Sequence, residues 1–393
     1  MKSIDLFTAE IDDLDIAIAD LEKQLAGFSL QKNSAGIVFA HPDTDFQELS
    51  TKLQQKIPVS LVGCTAMAML TTKGFQTEGI SVHIMTGDDC TFVTGVTEEV
   101  NLDNIQEKIQ NLYQEKVNGE EPKVIIAYGN LPMDVPGDTL KNCMDVVSKG
   151  VPLYGGLASD NFTRDQCKVF CDDQIIHYGV AILAICGGVQ PALQYQFSVA
   201  NFLDYEAEIT AVQGNKVQKL GDKTLMEAIK DAGMLVLDKE LFCEYAGAPF
   251  RVKYQNAAGD NIEYMRHLVC VDKKEGSGIF LGSMPQGAKV KIALLSRDDI
   301  HNSVAAAVKT AINQVYRTKN YKYHTVLVTS CASRLMNYSK DITNEALEYV
   351  SVVAHGMSMS GFYSFGEFCP IEGNKSGKQY NAFHNTTFTI LLM

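Results

Sequence analysis

No stretch of the sequence reaches the roughly 18 consecutive apolar residues of a membrane-spanning helix. The opening MKSIDLFTAEIDDLDIAIADLEKQL carries acids throughout and has no apolar run of signal-peptide length. A cytoplasmic protein with no membrane partner is therefore expected. Proline is sparse, 10 residues against 30 glycines, and 46% of the chain is hydrophobic and 21% charged, which excludes low complexity and a disordered majority. Basic residues are outnumbered 34 to 47, and the net charge of −13 repels phosphate backbones and anionic lipid. No nucleic-acid partner is expected. The ten cysteines are irregularly spaced; Cys167 and Cys171 are the only close pair and form no CxxC, so reduced thiols are expected in place of a zinc site or a disulfide framework.

What the chain does have is length for more than one core, since 393 residues exceed the roughly 250–300 at which single cores stop growing. Phe7, Ile11, Leu14, Ile18, Leu21 and Leu25 recur at helical spacing, with Gly27 placed as a C-cap. They predict an N-terminal amphipathic helix within residues 1–30, lying on the body of the protein or forming a short dimerising seam that would make a homodimer. Beyond it one pattern occurs three times: a short buried strand (GIVFAHP, KVIIAYGN, HTVLVTSCASR), a helix (DFQELSTKLQQK, DTLKNCMDVVSKG, DITNEALEYVSVV), and a second strand ending in small residues, followed by further strands. A β-rich insert with its own helix, DKTLMEAIKDAG, separates the second and third units, and its frequent turns place a hand-over between sheet systems at about residues 210–225. The predicted fold class is α+β, with mixed sheets built from repeated β-α-β-β units and helices packed on them, in two domains spanning 31–220 and 221–393.

In such sheets ligands bind beyond the carboxyl ends of strands. The small-residue turns GCTA (63–66), GGLASD (155–160) and GFYSFGEF (361–368) mark those places, unless they serve only close packing. The third unit is the richest. SCASR brings Cys331 and Arg334, GFYSFGEF brings Tyr363 and Glu367, and FHNTT brings His384 and Asn385 to strand ends. Arginine is scarce, six residues in all, and the fork of Arg334 suits a ligand carboxylate, or else pairs with Glu367 as a structural cap.

GFYSFGEFCP followed by AFHNTTFTILLM resembles the C-terminal signature of the FIST domain family. VGCTAMAM and VPLYGGLASD are similar to its N-terminal motifs, and IEYMRH around Arg266 and PQGAKVKIA also fit. The resemblance implies a FIST-N-like and a FIST-C-like part forming a sensory module for small ligands such as amino acids, with Arg266, Arg334, Tyr363, Glu367, His384 and Asn385 keeping the pattern of its C-terminal cleft; together with Cys331 from the strand end they make up the candidate ligand-binding set. One free-standing branch implies bound haem, nitric-oxide sensing and a histidine kinase partner. The chain departs from the pattern at Ala68-Met69, where Gly-Glu is usual, at Ser159, where glycine is usual, and at Phe365, where tyrosine is usual.

Haem b would need an axial His or Cys. His384 is the candidate ligand, with Cys369, followed by Pro370, as the alternative; no CxxCH motif for covalent haem is present. A haem-free sensor of an amino acid or small carboxylate is the alternative reading. A cysteine-dependent hydrolase would use Cys331 as nucleophile with His384 and Asn385, but adjacent strand residues point to opposite faces. A non-enzymatic sensor is expected.

Overall fold

The computed structural model describes every residue except 199–200, 235–247, 339–344, 346–347, 350 and 353–355. The first unit comprises β1 (Lys2–Thr8), α1 (Leu14–Leu25), β2 (Asn33–Ala40), α2 (Phe46–Lys56), β3 (Ser60–Thr65), β4 (Met69–Thr71), β5 (Gly74–Gln76) and β6 (Ile80–Gly87). The second comprises β7 (Cys90–Val96), α3 (Ile105–Lys116), β8 (Pro122–Asn130), α4 (Gly137–Ser148), β9 (Leu153–Leu157), β10 (Val169–Cys171), β11 (Gln174–Ile176) and β12 (Gly179–Gly187). The third opens with β13 (Ala192–Phe197). The insert follows: β14 (Asn201–Gln213), β15 (Lys216–Leu220), β16 (Lys223–Thr224), α5 (Leu225–Asp231), β17 (Phe250–Gln255), β18 (Asn261–Arg266), β19 (Leu268–Asp272), β20 (Ser277–Phe280) and β21 (Lys289–Leu294). The third unit then resumes with α6 (Arg297–Arg317), β22 (Thr325–Cys331), α7 (Ala332–Tyr338), β23 (Ser358–Ser364), β24 (Glu367–Phe368), β25 (Ile371–Glu372), β26 (Gln379–Tyr380), β27 (Phe383–His384) and β28 (Thr387–Leu392). The fold is α+β with mixed sheets, as expected.

Two details differ from the expectation. The N-terminal apolar stripe is divided between two elements. Asp13 accepts hydrogen bonds from the amides of Asp15 and Ile16 and so starts α1 at Leu14. Phe7, placed on the helix by its spacing, instead lies in β1, which pairs antiparallel with β6. The sheet hand-over also falls earlier than 210–225, because β13 already pairs with β28 of the third unit and β14 opens the insert's sheet. The helix expected over DITNEALEYVSVV falls largely outside the described residues, though Glu345 and Tyr349 are described.

The three units share one strand order. In each, an edge strand pairs with the last strand, the last with the first, and the first with the second, giving β1-β6-β2-β3, β7-β12-β8-β9 and β13-β28-β22-β23. The first and second strands are parallel in every case and the other pairs antiparallel. The hairpin after the second strand does not return to its own sheet. β4 pairs with β23, β10 with β3, and β24 with β9, so the first unit donates to the third, the second to the first, and the third to the second.

Register supports the equivalence. Gly63 lies beside Val38 and across from Phe170; Gly155 beside Ala127 and across from Phe368; Gly361 beside Val328 and across from Leu70. A Cβ at these positions would come within 1.9, 2.1 and 2.3 Å of a carbonyl oxygen on the parallel neighbour. Glycine is required at all three by close approach of backbone.

The turns that follow these strands interlock at the centre. Ser159 donates its amide to the Thr65 carbonyl at 3.1 Å, Tyr363 donates to Ala68 at 3.0 Å, and Leu157 donates to Gly366 at 2.8 Å. The Ser159 hydroxyl accepts from the Met67 amide and donates to the Tyr363 carbonyl. The serine that replaces the usual glycine thus ties all three units together. Among the described residues no helix is long and apolar enough to cross a membrane.

Candidate functional site

Arg334, on α7, is fully buried. Its Nη2 meets Glu345 Oε1 at 3.0 Å, and its Nη1 donates to Ser303 at 3.0 Å and to Ser198. Glu345, also buried, accepts in addition from Tyr349 at 3.1 Å, from Ser330 at 3.2 Å and from Tyr363. The expected Arg334–Glu367 pair is therefore replaced by Arg334–Glu345, and Tyr363 belongs to this cluster. Sequence reading missed Glu345. The signal was an acid in line with Tyr349 and Val352, at helical spacing on one buried face.

Arg266, at the end of β18, is equally occupied. Its Nη2 lies 2.8 and 3.0 Å from the Asp138 carboxylate oxygens, its Nη1 donates to Phe383 and Met265 carbonyls, and its Nε donates to Ser283. Its guanidinium stacks 3.6 Å over the Tyr264 ring. Arg266 clamps the first turn of α4 to the insert.

The remaining candidates gather on the other side of β22 and β23. Glu367 Oε1 accepts from the Ser364 hydroxyl at 2.7 Å, while its Oε2 has no hydrogen-bond partner among the described residues. Burial pushes this carboxyl up to about 8, against the hydrogen bonds of Ser364 and Cys331 and the more distant charge of Arg334. Asn385 accepts from the His267 amide at 3.2 Å, and its Nδ2 is buried and unpartnered among the described residues. Cys331 accepts from Ser333 at 3.2 Å, and burial followed by the nearby Glu367 pushes its thiol up to about 12. Cys331, Ser333 and Ser364 line a narrow crevice with Phe162, His267, Leu281, Met336 and Phe365; its free space, about 10 Å³, is about that of one water.

His384 is also fully buried. Its Nε2 holds the Cys369 carbonyl at 2.8 Å, its ring stacks on Tyr195 at 5.3 Å, and burial lowers it to about 4. It does not line the crevice. A haem needs a pocket of several hundred Å³, and neither the packed surroundings of His384 nor the crevice fits one. Cys369 is fully buried too, and burial holds its thiol far above the usual range.

This architecture is matched by two family descriptions, the FIST N domain over residues 34–223 and the FIST C domain over 228–370. The chain belongs to the FIST family. FIST domains are associated with small-ligand sensing in signal transduction. No curated protein matches the chain. Against the family pattern, Ala68 and Met69 are fully buried in the β4 region, so the first strand end offers no acid. Asp160 at the second strand end is committed to the amides of Thr163, Arg164 and Gln166. Phe365, in place of the usual tyrosine, lines the crevice.

Proposed function

We propose that this FIST protein is a non-enzymatic sensor that binds a small polar ligand at the Cys331–Ser364 crevice, backed by Glu367 and Asn385. One observation carries the reading: an acceptor, Glu367 Oε2, and a donor, Asn385 Nδ2, are both fully buried and unpartnered behind the crevice among the described residues. Each such group costs about 1–3 kcal/mol, and native proteins seldom retain one without a use. A ligand of complementary polarity recovers that energy. Of the two ligand expectations, the haem-free one is preferred, because the space at His384 suits packing and the space at Cys331 suits a small head group. A buried thiol raised to about 12 is the reverse of an activated nucleophile, which speaks against hydrolysis. Binding would be read by a signalling partner, a histidine kinase being the kind that the family resemblance suggests.

The test is thermal stabilisation of the full chain by a broad panel of amino acids, amines, carboxylates and haem. A Ser333→Thr variant, whose one added methyl takes up the one-water space of the crevice, should fold and lose the response. Responses that survive the filling would move the site elsewhere, and a Soret band in stoichiometric amount would restore the haem reading.

A further inference from the structure

Resting on that reading, the charges around the crevice narrow the ligand's class. Two of the six arginines, Arg266 and Arg334, are fully buried around the strand ends and a third, Arg164, is half-buried beside them; each is engaged. Arg334 is neutralised by Glu345 and Arg266 by Asp138. Arg164, beside Phe162, turns its Nη2 to the Leu131 carbonyl at 2.8 Å and its Nη1 to the Met133 sulfur. Among the described residues no lysine lines the crevice. A ligand carboxylate would therefore enter a crevice lined, among the described residues, by no arginine or lysine, and an unpaired buried charge is strongly disfavoured.

Glu367 has the opposite character. It is fully buried, has no ion-pair partner within 4 Å among the described residues, and keeps one oxygen without a hydrogen bond. Ser364 and Cys331, which line the crevice in front of it, both hydrogen-bond it, as does the backbone amide of Thr387. The free space admits only a small head group.

We infer that the ligand is a small primary amine whose ammonium head, about the size of the one water the crevice admits, pairs with Glu367 while its uncharged remainder lies toward the mouth, the chemistry of an amino alcohol or amino amide. An anionic or zwitterionic ligand would leave the site with an uncompensated negative charge; a monocation leaves it neutral. The raised Glu367 adds a signature. At pH 7 the acid is mostly protonated, and pairing with an ammonium requires its carboxylate, so binding releases nearly one proton to solvent.

The experiment is calorimetric titration of the full chain at pH 7 with ethanolamine, glycinamide, glycine and glycolate, in two buffers of different ionisation enthalpy. Ethanolamine and glycinamide should bind at least tenfold more tightly than glycine, glycolate should not bind, and nearly one proton should be released per amine. Glu367→Gln should weaken both amines by tenfold or more. If that variant does not fold, the probe order and proton count of the wild type decide the matter alone. Glycine or glycolate binding as tightly as the amines, or binding without proton release, overturns the amine assignment and leaves the crevice as a ligand site. Failure of all four probes while other small molecules stabilise the protein overturns it as well; failure of every small molecule removes the sensor reading itself.

Discussion

Replacing Arg334 by Met, Glu345 by Gln, or both, tests the buried network that displaced the expected Arg334–Glu367 pair. The guanidinium is fully buried and holds Glu345, Ser303 and Ser198, while the Glu345 carboxylate, 1% exposed, accepts from Arg334, Tyr349, Ser330 and Tyr363. Removing the arginine leaves a carboxylate with three hydroxyl donors and no countercharge. Removing the glutamate's charge leaves a cation with hydroxyls that are poor substitutes for it. Breaking a buried pair from one side costs about 3–5 kcal/mol. Each single variant should lose that much in urea unfolding. The double variant should lose far less than the sum, with a coupling of about 2 kcal/mol or more, because the second substitution removes the charge that the first stranded. Arg334→Lys retains the charge but cannot reach Ser198, Ser303 and Glu345 together, so it should destabilise the fold too. Single losses below about 1 kcal/mol, or additive effects, would refute the assignment of this pair as an integral buried unit.

Three further outcomes follow from distances and titration. Gly63→Ala, Gly155→Ala and Gly361→Ala each drive a Cβ to within 2.3 Å or less of a backbone carbonyl, so each should cost about 2 kcal/mol or more; a silent substitution at any of them would break the threefold equivalence. Glu367, raised from 4.5 to about 8, holds a proton in the folded state that the unfolded chain has lost between those values, so its contribution to stability falls as pH rises through that window. Unfolding measured against pH should therefore show Glu367→Gln gaining on wild type by about 1.4 kcal/mol per pH unit from about pH 4.5 to 8, and a constant difference would contradict the buried, neutral acid. Cys331 should alkylate far more slowly than a free thiol at neutral pH; rapid, stoichiometric modification mapped to Cys331 would revive the nucleophile reading.

Much of this fold was legible in the sequence because buried strands leave short, β-branched runs bounded by turns, and GIVF, KVIIA and TVLV each became the first strand of a unit. The α+β class and the repetition both followed from that. What the sequence concealed was the exchange of hairpins, since MLT, VFC and EF carry no mark of the sheet they will join. One strand was also hidden by mimicry. The stripe through Phe7 and Ile11 fits a helix, but β1 is decided by its pairing with β6, a partner about 80 residues away. At the site, the choice of residues was readable and the pairing was not. Arg334 and Glu367 both sit near strand ends, yet α7 turns the arginine to α6 and to Glu345, whose importance depends on a helix face that spacing alone did not single out.

The exchange also explains why, among the described residues, one strand end out of three is left with unpartnered polar groups. Each second strand ends against the other units, so its turn must satisfy its backbone within a crowded centre. The first turn does so with apolar Ala68 and Met69, and the second by committing Asp160 to its own loop and Ser159 to Met67 and Tyr363. The third keeps Glu367 and Asn385 incompletely satisfied. Glu367 lies on β24, which is held between β9 of the second unit and β27, opposite Gly156 and His384. Ser364, its hydrogen-bond donor, ends β23, the strand that receives β4 from the first unit. A ligand that draws Glu367 away from Ser364 therefore acts on two strands, each bonded to a different unit. Interfaces this closely packed respond by switching between arrangements more readily than by gradual deformation. A small head group placed at this strand end is thus in a position to alter how the units meet, which is the mechanical requirement of a sensor.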